Sequence, residues 1–341
     1  MPATKALEVW TISIPHSTHA GELAARAEAA GWDGVAFTDS QNLTGDVFAG
    51  LAIAAKATTR LGLATGVTNP VTRHAAAAAS GIATVQALSN GRAVLGVGRG
   101  DSALFQIGLE PAPLASFERF LREVAGYLRG EAVKQHGFES RLRWLSGDVP
   151  PVPVDVAATG PRVIELAAVV ADRITFALGA NPERLRWGID KARAARKRAG
   201  LDPDALELGA FANVAPHPDP SVARELARGG VGTFAHFSGM AGSSAEGTRA
   251  EDRAVFERIH AHYDRPHHTL GRARHAAELE PEFIDRFAIL GSTQNCVKRL
   301  RELADLGLTK LVLTGASFDA DREQAQRSRT LLEREVLPAL R

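Results

Sequence analysis

Apolar runs alternate with amphipathic helical segments along nearly the whole chain. The first run, Val9–Ile14, precedes a segment, His19–Ala30, in which apolar residues recur at helical spacing. Eight such runs are predicted to be strands: Val9–Ile14, Gly34–Thr38, Leu61–Gly66, Ala93–Gly98, Pro153–Ala157, Arg173–Ala177, Leu206–Val214 and Lys310–Thr314. The helices predicted after the first four are His19–Ala30, Val47–Ala57, His74–Leu88 and Ala115–Leu128.

The predicted strands read as continuous Val, Ile, Leu and Ala runs, which is typical of parallel sheets covered on both faces. Eight βα units favour a closed (β/α)8 TIM barrel over an open doubly wound sheet. Such a barrel needs about 250 residues, and this chain has 341. We therefore expect a single barrel domain over residues 1–341, with insertions at about 130–151 and 229–281.

The composition narrows the classes of function. With 40 Lys and Arg against 39 Asp and Glu, the chain has no bulk charge that would favour nucleic acid or an anionic membrane. It contains no apolar run long enough to span a bilayer, and its first residues do not resemble a secretion signal. Cys296 is the only cysteine, which excludes intrachain disulfides. We expect a soluble cytoplasmic protein that acts on a small molecule.

In a barrel of this type the chemistry lies at the C-terminal ends of the strands. The second strand ends in residues 38–42, TDSQN, and the third in residues 66–70, GVTNP, where a regular turn would be expected. The fourth ends in residues 96–102, GVGRGDS, which is not a Rossmann GxGxxG motif because Asp101 follows Gly100. These three strand ends predict a site at which a ligand lies close to the backbone.

The fifth strand ends in a segment suited to an anion. Thr159 is a candidate N-cap, Gly160 allows close backbone approach, and Pro161 suits the first helical position. The N–H groups of that helix start can receive a phosphate, with Arg162 as a second contact. An ordinary helix cap is the alternative interpretation.

Together these strand ends resemble the luciferase-like flavin and deazaflavin oxidoreductases, in the branch that includes methylenetetrahydromethanopterin reductase and other coenzyme F420 enzymes. The matching motifs are TGVTNPVTRH at 65–74, GRAVLGVGRGDSAL at 91–104 and AATGPRVIELA at 157–167. The resemblance implies that a non-proline cis peptide, Gly66–Val67, supports the middle of the cofactor ring. The cofactor-binding residues that it implies are Asp39, Gly66, Val67, Gly98, Arg99, Ser102, Thr159, Gly160, Pro161 and Arg162. Arg99 is a candidate to attract the cofactor's acidic tail or an anionic substrate, and a simple ion pair with Asp101 is the alternative. The alternative for Asp39 is a turn residue or cap, and for Ser102 it is a helix N-cap.

Two departures from the family pattern limit the substrate. Ser40 stands where enzymes oxidising sugar phosphates or alcohols carry a histidine, and Arg99 stands where the sugar phosphate enzymes carry a glutamate. The resemblance therefore does not imply sugar phosphate oxidation. Asp101 is the candidate catalytic proton-transfer group, with Glu110 as a second candidate.

The function implied is hydride transfer between F420 and a small organic substrate. An FMN-dependent monooxygenase that uses reduced flavin and O2, with a separate reductase as partner, remains an alternative. So does a barrel without catalytic activity. The resemblance also implies a homodimer.

The late insertion is rich in histidine, at irregular spacing that does not match a metal-ligand pattern. We expect no metal there, and interpret the insertion as a lid or an oligomer surface with Tyr263 near the barrel mouth. Its histidines are His260, His262, His267, His268 and His275.

Overall fold

The computed structural model describes residues 6–16, 18–145, 147–240 and 246–341. Its strands are β1 Glu8–Ser13, β2 Gly34–Phe37, β3 Gly62–Thr65, β4 Ala93–Val97, β5 Val133–Gln135, β6 Phe138–Ser140, β7 Val154–Ala158, β8 Arg173–Phe176, β9 Glu207–Pro216, β10 Ile289–Gly291 and β11 Lys310–Thr314. Its α-helices are α1 Ala20–Ala29, α2 Val47–Ala57, α3 Ala75–Ser89, α4 Ser102–Phe105, α5 Leu114–Leu128, α6 Pro161–Val170, α7 Pro182–Arg198, α8 Pro220–Gly239, α9 Ala250–Ala261, α10 Arg274–Ala277, α11 Pro281–Phe287, α12 Thr293–Ala304, α13 Arg322–Leu331 and α14 Leu337–Ala339. A 3₁₀ turn, Arg265–His267, and a π-helical turn, Leu332–Val336, complete the elements.

Nine strands form one sheet in the order β10, β9, β11, β1, β2, β3, β4, β7 and β8, and a further pairing joins β9 to β8. The sheet therefore closes on itself, with helices between its strands, which is the (β/α)8 barrel class. All eight predicted strands are present, each within about two residues of its predicted ends. The predicted fold class is confirmed.

The described chain divides into two compact units. The N-terminal unit comprises Thr11–Ala157 and Leu166–Arg173. Within it β2, β3 and β4 are parallel neighbours, in a register that pairs Gly34 with Gly62. Residues 130–151, which we predicted to be an insertion, contain the antiparallel pair β5 and β6.

The C-terminal unit comprises the described residues of Met1–Trp10, Ala158–Glu165 and Ile174–Arg341. Its strands β9 and β11 are parallel, and their register pairs Asn213 with Thr314 at the C-terminal end of β11. Residue 229, where the second predicted insertion begins, lies in the middle of α8. The helix begins at Pro220, after Asp219 caps it by accepting hydrogen bonds from two backbone N–H groups.

Among the described residues, no helix combines the length and the apolar character needed to cross a bilayer. Cys296 is buried, and burial raises the pKa of its thiol to about 12.

Candidate active site

The backbone after β3 forms a bulge where a regular turn would be expected. The peptide bond between Gly66 and Val67 is cis, as the resemblance predicted. Both residues are half-buried, whereas Thr65 and Thr68 on either side of them are buried. The bulge therefore presents Gly66 and Val67 as a partly accessible edge at the C-terminal end of β3.

Backbone hydrogen bonds hold this bulge from both neighbouring strands. The N–H of Gly66 donates to the carbonyl of Phe37 at 2.6 Å, and the N–H of Thr68 donates to the carbonyl of Gly96 at 3.0 Å. The carbonyl of Thr68 accepts from the N–H of Gly98 at 2.9 Å. The bulge is thus fixed by the ends of β2 and β4 and is not a loose loop.

Asp39 lies at the centre of a buried polar network beneath the bulge. Its side chain is 3% exposed. One carboxylate oxygen accepts from Gln41 Nε2 at 2.9 Å and from Arg73 at 2.9 Å, and the other accepts from Thr68 Oγ1 at 2.7 Å and from Arg73 Nε at 3.2 Å. Protein donors therefore occupy both oxygens, and Asp39 joins the end of β2 to the residues that follow the bulge.

Arg73 links this network to the start of α2. Its guanidinium also donates to Asp46 at 2.8 Å and lies 5.1 Å from the centre of the Phe48 ring. Asp46 caps α2 by accepting from the N–H of Ala49. Burial acts to lower the pKa of Arg73, but its hydrogen bonds to Asp39 and Asp46 outweigh burial and raise it. The guanidinium stays charged and holds the two carboxylates together.

Glycines at the end of β4 let the backbone approach the bulge. A Cβ on Gly98 would lie 2.9 Å from Val67 Cγ2, and a Cβ on Gly96 would lie 2.0 Å from the carbonyl oxygen of Thr65. Neither distance is compatible with a side chain at its present position. The glycines are therefore required by close packing at this end of the unit.

Beyond Gly98 the chain turns into the short helix α4. Arg99 Nε donates to the carbonyl of Ala112 at 2.6 Å. The helix begins at Ser102, so Asp101 holds the N-cap position that the alternative interpretation gave to Ser102, and its carbonyl accepts from the N–H of Leu104. Arg99, Asp101 and Ser102 are all partly exposed at the C-terminal end of β4.

The predicted phosphate-binding segment begins α6 in the C-terminal unit. The helix starts at Pro161, as predicted, and the carbonyl of Gly160 accepts from the N–H of Ile164 at 3.0 Å. Gly160 thus holds the N-cap position that the sequence predicted for Thr159. The prediction was one residue early because a glycine at this position leaves no side chain to mark the cap. Thr159 is half-buried and Arg162 is exposed.

The histidines of the late insertion lie in the C-terminal unit, around Tyr263. The ring of His236 on α8 stacks on Tyr263 with centroids 3.6 Å apart and on His260 with centroids 4.9 Å apart. His275 is fully buried, and burial together with the charge of His236 lowers its pKa to about 4. In the described part of the chain, no three His, Cys, Asp or Glu side chains are grouped as a metal ion requires.

Sequence reasoning missed three members of the Asp39 network, Gln41, Thr68 and Arg73. Thr68 and Arg73 lie in the motif TGVTNPVTRH, but Arg73 is 34 positions from Asp39 in the chain. For Thr68 the available signal was a polar residue in the irregular segment that follows a buried strand. His74 is confirmed as a helix-start residue, because its Nδ1 accepts from the N–H of Ala76 at 3.2 Å.

Comparison with known proteins shows the family of this chain. The model of the luciferase-like monooxygenase family matches residues 4–310. A 5,10-methylenetetrahydromethanopterin reductase of Methanolobus tindarius is 30% identical over 306 residues, which cover 88% of this chain and 90% of that protein. An F420-dependent glucose-6-phosphate dehydrogenase of Mycobacterium avium is 28% identical, over 94% of this chain and 93% of that one.

A solved structure has the same fold. It is the coenzyme F420-dependent tetrahydromethanopterin reductase of Methanopyrus kandleri, which matches with a TM-score of 0.74 at 23% identity, over 98% of this chain and 100% of that chain. The barrel fold together with the relatives that match most of the chain defines an oxidoreductase of the TIM-barrel class. The chain belongs to the luciferase-like family.

Proposed function

We propose that this protein transfers a hydride between coenzyme F420 and a small organic substrate. Relatives that match most of the chain are named as a methylenetetrahydromethanopterin reductase and as an F420-dependent dehydrogenase. When bound, F420 supplies two electrons as a hydride. The protein's part is to bind the cofactor and the substrate so that their reacting atoms are aligned.

The observation that carries the proposal is the fixed edge formed by Gly66 and Val67. It is partly accessible at a strand end where barrel enzymes hold their ligands. Behind it, Asp39 and Arg73 hold the bulge through charge-assisted hydrogen bonds. A flat ring system needs a rigid support of this kind, because hydride transfer depends on the alignment of the reacting carbons.

The residues present fit such a cofactor. At Gly98 a Cβ would meet Val67, so this position keeps the surface beside the bulge free of side chains. We propose that Asp39 acts on the cofactor indirectly, by fixing the bulge, because protein donors occupy both of its oxygens. The residues that we propose to contact the cofactor are Gly66 and Val67 at the ring, Gly98, Arg99 and Ser102 along its side chain, and Thr159, Gly160, Pro161 and Arg162 at its phosphate.

Asp101 remains our candidate for proton transfer on this side of the site. It is partly exposed, beside a residue proposed to contact the cofactor. The Mycobacterium avium relative is named as a glucose-6-phosphate dehydrogenase. We do not propose sugar phosphate oxidation for this protein, because Ser40 and Arg99 replace the residues expected for that activity.

Fluorescence titration of the purified protein with F420 and, separately, with FMN tests the proposal, with each cofactor oxidised and reduced. We expect F420 to bind at micromolar or lower concentration and FMN to bind more weakly. Preference for reduced FMN, with O2 consumed on mixing, would instead support the monooxygenase that the family model names, together with a reductase partner. Binding of neither would favour a barrel without catalytic activity.

A pair of glycine variants shows whether binding uses the predicted surface. Gly98→Ala places a methyl group 2.9 Å from Val67, whereas Gly147→Ala meets nothing within 4 Å. We expect Gly98→Ala to weaken F420 binding by about ten-fold, since overpacking of this kind costs about 1–3 kcal/mol. Gly147→Ala should bind F420 with the affinity of the unmodified protein. If the two variants bind F420 equally well, Gly98 does not contact the cofactor.

We further propose that the protein is a cytoplasmic homodimer. The single, buried cysteine is consistent with a reducing compartment. Light scattering of the purified protein measures the oligomeric state, and a monomer at micromolar concentration would contradict the proposal.

A further inference from the structure

His275 is a fully buried histidine on the short helix α10, in the late insertion of the C-terminal unit. Its imidazole lies against the backbone of α8, because a Cβ on Gly232 would lie 3.0 Å from Cδ2 of His275 and 3.2 Å from its Nε2. The ring of Tyr263 covers the imidazole from another side, with ring centroids 4.3 Å apart. The imidazole is therefore out of contact with solvent.

One hydrogen bond of this imidazole closes a loop. The backbone N–H of Asp264 donates to Nδ1 of His275 at 3.2 Å. Because Nδ1 accepts this bond, the neutral ring carries its hydrogen on Nε2. The buried Nε2 has no hydrogen-bond partner in the part of the chain that the structure describes. We refer to residues 264–275, which this bond closes, as the His275 loop.

The closed loop does not accommodate a second proton on His275. That proton would bind Nδ1 and turn the acceptor into a donor, so that it would face the N–H of Asp264 across 3.2 Å. The imidazolium would also be a buried charge with no acceptor at Nδ1, which is strongly unfavourable. The protonated ring is therefore stable only when water reaches Nδ1, which requires Asp264 to separate from His275.

The other attachments of the His275 loop do not depend on this proton. Arg228 on α8 donates to the carbonyls of Ala276 and Leu279 at 3.2 and 3.0 Å, which holds α10 in place. Asp319 accepts from the N–H of Gly271 at 2.7 Å, which holds the middle of the loop. Only the start of the loop is attached through the imidazole, so a proton on His275 releases the loop at that end.

The groups around His275 determine the pH at which it takes up a proton. Burial lowers its pKa most and the charge of His236 lowers it further, whereas the carboxylates of Asp264 and Glu278 oppose this, and the result is about 4 in place of 6.5. A lowered pKa means that the closed loop is most stable above pH 6.5 and loses stability as pH falls. The other titratable or charged groups on the surrounding elements are Arg228 on α8, His260 and His262 at the end of α9, Tyr263, Arg265 and His267 at the start of the loop, and Arg274 on α10.

We propose that His275 is a pH-dependent switch that opens the start of the His275 loop in acid. At neutral pH the unprotonated Nδ1 accepts from Asp264 and the loop is closed. As pH falls, a proton from solvent binds Nδ1 and the bond from Asp264 breaks. Asp264 and the 3₁₀ turn that follows it then move away from α10, and both N–H groups donate to water. The switch does not depend on the proposed function, because it involves no cofactor or substrate.

Hydrogen exchange read by mass spectrometry tests the switch on the purified full chain at pH 7 and pH 5. Each rate is divided by the intrinsic exchange rate at that pH, which gives the protection of the amides. We expect the protection of residues 264–268 to fall about twenty-fold from pH 7 to pH 5, as a shift of the pKa from 6.5 to about 4 requires. Helix α12, in the same unit, should stay at least about ten-fold better protected at both pH values, because the loop opens without unfolding the unit.

Two histidine variants assign the switch to His275. In His275→Asn the side-chain oxygen can still accept from the N–H of Asp264, but it takes up no proton, so the protection of residues 264–268 should change less than about two-fold between the two pH values. The matched control is His262→Asn. His262 is exposed, lies two residues before Asp264 and bonds to Glu278 at 3.0 Å. This variant should keep the twenty-fold change of the unmodified protein.

Exchange of the imidazole C2 hydrogens, measured on the unmodified protein, gives the pKa of each histidine without a substitution. We expect the pKa of His275 to lie below about 5. A value of about 6 or above, a twenty-fold change that persists in His275→Asn, or equal protection of residues 264–268 and α12 would overturn the inference. If His275→Asn does not fold, the pKa of His275 and the protection of the loop relative to α12 decide the question.

Discussion

The Arg73→Leu substitution tests whether the network beneath the bulge supports the cofactor site. It removes two of the hydrogen bonds to Asp39 and the one to Asp46, and leaves Asp39 only 3% exposed. Removing one partner of a buried ion pair costs about 3–5 kcal/mol. Because the Arg73 side chain is itself 20% exposed, water replaces part of what is lost, and we expect a loss of about 3 kcal/mol.

The assay is urea unfolding, with F420 affinity measured by fluorescence on the same preparations. Arg73→Leu should lower the unfolding midpoint and weaken F420 binding by about ten-fold, which corresponds to ~1.4 kcal/mol. Adding Asp39→Asn removes the unpaired charge. The double variant should therefore be less destabilised than the sum of the single variants, by about 1 kcal/mol or more.

Arg92→Leu is the matched control. Arg92 immediately precedes β4, and its guanidinium donates to the carbonyls of Ala55, Thr58, Leu61 and Ser89 and to the hydroxyl of Thr58. Its loss should destabilise the fold by a similar amount, but at the opposite end of the strands from the bulge. If Arg92→Leu weakens F420 binding as much as Arg73→Leu, or if Arg73→Leu leaves the unfolding midpoint unchanged, the reasoning is refuted.

Two further predictions concern stability. The pKa of His275 is lowered from 6.5 to about 4. Between pH 6.5 and pH 4 the imidazole therefore binds a proton in the unfolded chain and not in the folded one. The free energy of unfolding should fall by about 3 kcal/mol as pH drops through this range. His275→Asn should flatten this slope, whereas the exposed His16→Asn should not, and equal slopes would contradict the assignment. Glu28 accepts from the backbone N–H groups of Thr59, Arg60 and Leu61, so Glu28→Gln should cost about 1–2 kcal/mol in urea unfolding, and Glu22→Gln, at an exposed position, close to nothing.

The strands could be predicted because each is a continuous apolar run with a clear end. Lys310–Thr314 was predicted with its observed bounds. β9 extends two residues beyond its predicted end because β10 pairs with it at Val214–Pro216, and β10 is too short to leave a pattern of its own. The start of α8 carried the cap signal Asp219-Pro220, but the Gly and His content further along placed the insertion boundary later.

The sequence predicts which strand ends form the site, but it does not predict the hydrogen bonds that connect them. The order of the strands in a barrel brings their C-terminal ends to one face, which is why residues such as Gly66 and Gly98 could be selected from the sequence. The partner of Asp39 could not, because Arg73 follows the bulge by several residues and its direction depends on the turn between them. The ring contacts that lead from Phe211 on β9 through α8 to His268 depend on how α8 packs on the strand, which helical periodicity does not specify.

The most direct test of the central claim is to follow deuterium from C5 of reduced F420 while the purified protein is incubated anaerobically with a panel of enones and imines. Direct hydride transfer predicts one deuterium on a carbon of a product, at a rate that requires the protein. Product without deuterium would contradict it, and so would a protein that leaves F420 unoxidised here but consumes reduced FMN and O2 in a separate aerobic assay.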